Sequence, residues 1–404
     1  MAVVNNENYH DAQVRDNIRK MRLVLDTLPS WLKEYFRSIE TNTSARTRLA
    51  YAYDIRMFFE FLKENNSSLK NIEIPDFKLS ILESIGRTDI EEYLENVTLY
   101  EKDGRTVING ERGKARKLSA LRSMYKYFFE TERVSKNTAE LVIPPKIHEK
   151  EIIRLDADEV AKLLDMVESG EGLTDKELIY HSRTKVRDVA ILTLLLGTGI
   201  RVSECVGIDL KDIDFNNGGI KVTRKGGNEA IVYFGDEVDA ALHDYLDERE
   251  RINAESGSEN ALFLSMQNKR ISVRAVEKLV KKYSSRLTSL KKITPHKLRS
   301  TYGTALYRET GDIYLVADVL GHKDVNTTRK HYAAQFEDSR KHAANVVTLR
   351  EKAPEKKSDA PVSGISNKPD DKRNKKTDDE MIKKTNDKRN KKTDDRSNKK
   401  SEDD

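Results

Sequence analysis

The sequence predicts a mainly α-helical protein with a small antiparallel sheet, organised as an all-helical N-terminal domain followed by an α+β domain. Long stretches repeat apolar residues every three or four positions, which is typical of amphipathic helices. Two short apolar runs flank a Gly-Gly pair, as in a β-hairpin. A chain of 404 residues is long enough for each of two domains to bury its own core.

The domain boundary is predicted within "NTAELVIPPKIHEKEIIRL", because Pro144 and Pro145 interrupt two strongly helical stretches. Five segments follow: an N-terminal extension 1–29, a helical domain 30–140, a linker 141–153, a second domain 154–350 and a charged tail 351–404. The tail has few apolar residues and repeats "DKRNKKTDD". It cannot offset its ordering entropy by burial, so we expect it to be disordered and dispensable.

In the first domain, "SARTRLAYAYDIRMFFEFLKEN" predicts a long helix that Ser44, or Thr43 before it, can cap. Its apolar face combines positions spaced by three and four: Tyr51, Ile55, Phe58 and Leu62. Thr88 and Glu91 have the spacing of a capping box, which predicts the start of a second helix there.

A third helix, "RGKARKLSALRSMYKYFFE", has the most basic face of the two domains. Its cations are expected to lie mostly outside the apolar stripe: Arg112, Lys114, Arg116, Lys117, Arg122 and Lys126. Such a face is either a solvated surface or a nucleic-acid contact. The candidate DNA-binding residues are five cations of the two long helices: Arg46, Arg112, Arg116, Lys117 and Arg122.

The second domain mixes helical and strand patterns. Asp156 and Glu159 can cap a helix that runs through Val167, and "VRDVAILTLLLGTG" predicts a buried helix that ends at its glycines. "GIKV" and "AIVYF" are predicted strands joined by a hairpin at Gly226-Gly227. "TPHKLRSTYGTALYRETG" has a helix-capping Thr294, Pro295 at the first helical position and Gly311 just past the end.

Composition restricts the class of protein. No apolar run approaches the ~20 residues of a membrane span, and the N-terminus lacks the apolar segment of a secretory signal. Cys205 is the only cysteine, which excludes an internal disulfide and a cysteine-based zinc site, so we expect a cytoplasmic protein. The net charge of +5 is too small to indicate nucleic acid by itself, and local clusters must carry that inference.

Four places in the second domain hold residues that could act on a phosphodiester. Arg201 follows the glycine turn, Lys225 lies at the hairpin tip, and His296 and Arg299 are three apart on one helical face. The last place, "LGHKDVNTTRKHYA", contains a histidine and a tyrosine: His322 and Tyr332. Each has an ordinary alternative, such as a surface ion pair, a solubilising lysine or a packed aromatic ring.

The order and local context of these motifs resemble the C-terminal catalytic domain of the tyrosine recombinases, the phage integrase family. Residues 30–135 are similar to that family's helical core-binding domain, and the likeness is strongest to Xer-type members, XerS in particular. Two positions depart from the family pattern. Ser300 replaces a common histidine, and a longer spacing after His322 lets His331 compete with Tyr332. Only a phenol can form the family's covalent bond, so we assign Tyr332.

The resemblance implies a role for each motif residue. Tyr332 would attack the scissile phosphorus, giving a 3′-phosphotyrosyl link and a free 5′-hydroxyl, while Arg201 and Arg299 hold the non-bridging oxygens. His322 would donate to the same phosphate, His296 would act as an acid or base near the tyrosine, and Lys225 would protonate the 5′-oxygen. Glu204 is expected to orient the region around Arg201.

The resemblance also implies partners and a biological role. Double-stranded DNA with a specific site, a homotetramer in the synaptic complex and a septal DNA translocase are the expected partners, with no metal, nucleotide cofactor or membrane. The expected role is resolution of chromosome dimers, and integration of a mobile element is the alternative. A type IB topoisomerase and a non-catalytic DNA-binding protein are the other two alternatives.

Overall fold

The computed structural model describes residues 8–102, 104–148, 153–224, 226–288, 291–322, 324–326 and 328, except the side chains of 102 and 105. All of these residues belong to one compact unit, residues 1–346. Lys225, Tyr332 and the charged tail 351–404 lie outside the described residues, as does part of the linker 141–153.

The first half of this unit is a helical domain with one hairpin. Its elements are α1 (Tyr9–Leu25), α2 (Leu32–Ser38), α3 (Ala45–Asn65), α4 (Ile81–Ser84), α5 (Arg87–Asn96), β1 (Leu99–Lys102), β2 (Arg105–Ile108) and α6 (Glu111–Glu130). The core forms around α3, whose Ile55, Phe58 and Phe59 are fully buried. The Ser44 hydroxyl accepts from the Thr47 N–H at 3.2 Å, which confirms the predicted cap.

Three features of this domain differ from the prediction. The segment assigned to an extension contains α1, and its Met21, Val24 and Leu25 join the helical core. α5 begins at Arg87, because the Asp89 carboxylate accepts from the Gly86 N–H at 2.7 Å, so the predicted capping box is wrong. β1 and β2 pair as an antiparallel hairpin inside a domain predicted to be all helical.

The second half of the unit builds a separate core. Its elements are α7 (Ala157–Ser169), α8 (Asp175–His181), α9 (Lys185–Thr198), α10 (Val202–Gly207), β3 (Ile213–Asp214), β4 (Gly219–Thr223), β5 (Glu229–Tyr233), α11 (Asp236–Arg249), α12 (Val273–Leu287), α13 (Pro295–Thr310) and α14 (Ile313–Leu320). The strands form one antiparallel sheet in the order β3-β4-β5. This confirms the predicted class, mainly α with a small antiparallel sheet.

The ends of the second-domain helices follow the predicted signals. The Glu159 carboxylate accepts from the Asp156 N–H at 2.8 Å at the start of α7. α9 is buried over most of its length and ends at Gly199, whose φ of 63° is a left-handed conformation that favours glycine. α13 begins with Pro295 and ends before Gly311, although the Thr294 side chain makes no capping bond.

Helix α1 contacts both cores. Its C-terminal half packs into the helical domain, while Tyr9 at its N-terminus packs against the second core. The Arg270 guanidinium lies 5.3 Å from the centre of the Tyr9 ring, which supports a cation–π contact. Among the described residues, no helix is both long and apolar enough to cross a membrane.

Candidate active site

Arg299 connects the ends of two helices. The residue is 4% exposed, and its guanidinium donates from Nη1 to the Gly199 carbonyl at 2.6 Å and from Nη2 to the Leu320 carbonyl. A buried charge needs hydrogen-bond partners, and helix C-termini carry carbonyls without intrahelical donors. α13 therefore carries Arg299 to the point where α9 and α14 both end.

Arg201 lies two residues after Gly199, at the turn between α9 and α10. Its Nη1 donates to Glu204 Oε1 at 2.7 Å, and its Nη2 donates to the Gly321 carbonyl at 3.3 Å. The second carboxylate oxygen of Glu204 accepts from the Arg201 backbone N–H at 2.9 Å. The Glu204 side chain is buried whereas that of Arg201 is 31% exposed. This geometry agrees with the expected orienting role of Glu204.

The turn that follows α14 explains why glycine precedes His322. Gly321 has a φ of 61°, its N–H donates to the Asp318 carbonyl at 2.8 Å, and the His322 N–H donates to the Ala317 carbonyl at 2.9 Å. These two bonds define a Schellman motif, which fixes the first residues after a helix. The His322 ring Nδ1 pairs with the buried Thr328 hydroxyl at 2.7 Å, so both backbone and ring are held in place.

Three of the six predicted catalytic residues thus meet at the end of α14. Arg201 and Arg299 bind the neighbouring carbonyls of Gly321 and Leu320, and His322 follows directly. His296 is on the first turn of α13 with an exposed side chain. The positions of Lys225 and Tyr332 relative to this cluster stay predictions, since both lie outside the described residues.

Arg224 is a further member of the cluster that the sequence interpretation missed. Its Nη1 and Nη2 donate to the Asp318 and Val319 carbonyls at 3.3 and 3.1 Å. Arg224 and Arg299 therefore bind the last carbonyls of α14 and Arg201 binds that of Gly321 just past it, where the helix dipole favours cations. The available signal was the basic residue directly before Lys225, but nothing local indicates that its partners lie on α14.

A cavity of about 510 Å³ lies beside this cluster. It is lined by α1, by the start of α3 and by the face of the second domain that carries Arg201. Its lining includes five Lys and Arg residues, Arg46, Arg201, Lys211, Lys221 and Arg224, together with four carboxylates, Glu204, Asp209, Asp212 and Glu229. Planar guanidinium groups suit the oxygens of a phosphate, which they can bind through two parallel hydrogen bonds.

Fewer cations of the basic helix α6 are exposed to solvent than predicted. Lys117 is 3% exposed and donates to Asp54 of α3 at 3.2 Å, so its assignment as a DNA-binding residue is wrong. Arg116 also pairs with Asp54 but remains half exposed. Arg122 donates to the Ala139 and Val142 carbonyls and so holds the last residues of the domain against α6. The buried carboxylate of Asp54 thus binds Lys117 and Arg116, whereas Arg112 is exposed.

Lys117→Ala is expected to lower the free energy of unfolding by about 3 kcal/mol, because it removes the buried cation that pairs with the buried Asp54 carboxylate. Burial raises the pKa of Asp54 while Lys117 and Arg116 lower it, so the lost cation favours a protonated carboxyl. Arg112→Ala is the matched control and should change stability by less than about 0.5 kcal/mol. Urea unfolding measures both; equal, small changes would contradict the structural role of Lys117.

Comparison with known proteins agrees with this fold. The profile of the phage integrase family matches residues 153–338, and that of the phage integrase N-terminal SAM-like domain matches residues 32–131. Tyrosine recombinase XerC of Caldanaerobacter subterraneus subsp. tengcongensis is 34% identical over 304 residues, which are 73% of this chain and 79% of the relative. Tyrosine recombinase XerS of Lactococcus lactis subsp. cremoris is 31% identical over 356 residues, 78% and 94% of the two chains.

Solved structures share the fold. The XerH site-specific recombinase bound to a palindromic difH substrate, a post-cleavage complex, is 20% identical with a TM-score of 0.57, over 82% of this chain and 89% of its own. A lambda integrase (75–356) dimer bound to a COC′ core site is 19% identical with a TM-score of 0.51, over 74% and 96%.

The family profile and these relatives define an enzyme of the type that cleaves and rejoins DNA. The chain belongs to the phage integrase family of tyrosine recombinases. The resemblance inferred from the sequence motifs is thereby confirmed.

Proposed function

We propose that this protein is a site-specific recombinase that exchanges DNA strands through a 3′-phosphotyrosyl intermediate and a Holliday junction. The observation that carries the proposal is the meeting of Arg201, Arg299 and His322 at the end of α14, although Arg201 and the Gly321 carbonyl that it binds are 120 residues apart. Helix ends brought together in this way form a pre-organised site for one phosphate.

Arg201 and Arg299 would bind the non-bridging oxygens of the scissile phosphate. Both guanidinium planes are already fixed by backbone carbonyls, so little reorganisation accompanies the growth of charge in the transition state. The partial exposure of Arg201 gives a phosphate an approach to this pair. His322, held by the turn and by Thr328, would donate to the same phosphate.

Tyr332 would supply the nucleophile. A phenol has a pKa of about 10 and is mostly protonated at neutral pH, and nearby cations favour the phenolate. Attack forms the bond from the tyrosine oxygen to phosphorus and breaks the bond from phosphorus to the 5′-oxygen. Lys225 would give its proton to that oxygen, with His296 as an acid or base near the tyrosine. The reverse steps rejoin the strand.

The duplex would contact both domains. Arg46 lines the same cavity as Arg201, and Arg112 and Arg116 are exposed on α6, so these three cations are the proposed DNA-backbone contacts. We further propose a homotetramer with two bound sites as the form that exchanges strands.

The proposed biological role is the resolution of chromosome dimers, with a septal DNA translocase as a partner. Similarity to relatives named XerC and XerS over most of their length supports it. Integration of a phage or conjugative element is the second candidate.

A plasmid assay tests the proposal. Fragments of the source genome that the full-length protein retains are cloned in pairs, and exchange between the two copies is measured. Guanidinium groups stabilise the charge and the tyrosyl link conserves the bond energy, so exchange should proceed in EDTA and without ATP. Relaxation of supercoils without exchange would indicate a topoisomerase. Strict dependence of cleavage on Mg²⁺ would exclude the tyrosine mechanism.

A further inference from the structure

The β4–β5 hairpin, whose connecting turn contains Lys225 in sequence, is attached to α14 through the side chain of Arg224. Arg224 is the last paired residue after β4: its N–H donates to the Asn228 carbonyl at 2.7 Å, and its carbonyl accepts from Gly227 at 3.0 Å. Gly226 and Gly227 have φ values of 98° and 84°, conformations that glycine adopts without strain. Backbone hydrogen bonds therefore fix the chain at Arg224, whereas the two residues directly after Lys225 adopt conformations that favour glycine.

The side chain of Arg224 crosses to the end of α14. Its two terminal nitrogens bind the carbonyls of Asp318 and Val319, and its guanidinium lies against Gly321. A Cβ built on Gly321 would lie 2.6 Å from Arg224 Cζ, so a side chain there would displace the arginine. Position 321 thus needs glycine both for its left-handed backbone and for this contact.

Helix capping accounts for only one of the two bonds of Arg224, the one to the Val319 carbonyl. The Asp318 carbonyl already accepts from the Gly321 N–H, and Arg299 and Arg201 bind the carbonyls of Leu320 and Gly321. What Arg224 adds is a link of the β4–β5 hairpin to the turn that carries His322. A planar fork that binds two successive carbonyls restrains both distance and orientation.

We propose that Arg224 is a positioning residue, which holds the hairpin against α14 so that Lys225 reaches the leaving 5′-oxygen. This inference rests on the proposed role of Lys225 as the general acid. It predicts that loss of Arg224 impairs protonation of the leaving group and leaves the phosphate contacts of Arg201 and Arg299 intact.

The identity of the leaving atom distinguishes a defect in proton transfer from a defect in phosphate binding. When the bond from phosphorus to the 5′-oxygen breaks, the departing alkoxide takes a proton from the general acid. When sulfur replaces that bridging oxygen, a thiolate leaves, and a thiol with a pKa near 8.5 needs no protonation to depart. A variant defective only in proton transfer is therefore rescued by the sulfur substrate, whereas a variant defective in phosphate binding is not.

The experiment compares single-turnover cleavage of two suicide duplexes, with bridging oxygen or sulfur, by saturating full-length protein. Arg224→Ala is expected to be about 100-fold slower than wild type on oxygen and within about threefold on sulfur, since general acid catalysis contributes about 10²–10⁴-fold. Arg224→Lys should be intermediate on oxygen, because one ammonium cannot span two carbonyls. Ile231→Ala truncates an exposed side chain of β5 in the same hairpin and should cleave both substrates at nearly the wild-type rate.

Lys225→Ala and Arg201→Ala give the reference patterns, rescued and not rescued by sulfur. If Lys225→Ala is rescued but Arg224→Ala is equally slow on both substrates, the positioning role is wrong while the proposed function stands. A loss of DNA affinity alone in Arg224→Ala would make it a backbone contact and also overturn the proposal. Failure of Lys225→Ala to respond to sulfur removes the general acid and this inference together, and absence of a covalent adduct in wild type removes the proposed function itself.

Discussion

Tyr332→Phe is expected to abolish covalent attachment to a nicked suicide duplex while binding of the intact duplex survives. The phenol oxygen is the only group in the final motif that can form a phosphotyrosyl bond, and phenylalanine removes that one atom. Because the substitution keeps the aromatic ring, the two-domain fold and the proposed DNA-backbone contacts should be unaffected.

The measurement is a denaturing gel of protein mixed with end-labelled duplex, together with a binding isotherm at the same ionic strength. His331→Ala is the matched control, since His331 precedes the tyrosine directly and competes for the terminal motif position. It should retain cleavage. A covalent adduct that persists in Tyr332→Phe and disappears in His331→Ala would reverse the assignment.

Arg299→Ala should lower the single-turnover cleavage rate by about 100- to 1000-fold, equivalent to about 3–4 kcal/mol of lost transition-state stabilisation. A second effect follows from its burial. The Gly199 and Leu320 carbonyls lose their guanidinium donor, and an unsatisfied buried acceptor costs about 1–3 kcal/mol. We therefore expect a lower free energy of unfolding as well as a slower reaction.

Arg201→Ala distinguishes the loss of transition-state stabilisation from the loss of folding stability. Arg201 is more exposed and shares its bonds between Glu204 and Gly321, so its removal should slow cleavage to a similar degree with a smaller loss of stability. Arg299→Lys should remain slow, because one ammonium cannot reproduce a planar fork that binds two carbonyls and a phosphate. Urea unfolding and cleavage rates at saturating protein test both arginines; a parallel loss of rate and DNA affinity would mark them as ordinary DNA contacts.

Much of the site was predictable because its parts obey local rules. Pro295 opens α13, Gly199 and Gly311 end helices, and Gly226-Gly227 turns the hairpin, each through conformational limits set within a few residues. Gly321 before His322 is the same kind of signal, since a Schellman turn fixes the residue that follows the glycine. Motif order then sufficed to recognise the family.

Other features depend on partners that are distant in sequence. Lys117 has the sequence context of a solvated cation, and only the packing of α6 on α3 buries it against Asp54, 63 residues earlier. Arg224 binds the carbonyls of Asp318 and Val319, which lie 94 and 95 residues further along the chain. Residues 1–29 have the sequence of an extension, and only the tertiary structure shows that the apolar residues of α1 pack into the helical core.

The sequence by itself therefore determined the ends of α9 and α13, the β4–β5 hairpin, the mainly α class with its small sheet and the family, because backbone sterics and motif order operate over short distances. The tertiary structure alone decided which cations are exposed, which residues orient others and how the three arginines share the carbonyls at the end of α14. A charged side chain takes its environment from whichever element packs against it, and a desolvated carboxylate or helix terminus binds the cation that the fold brings within hydrogen-bonding distance.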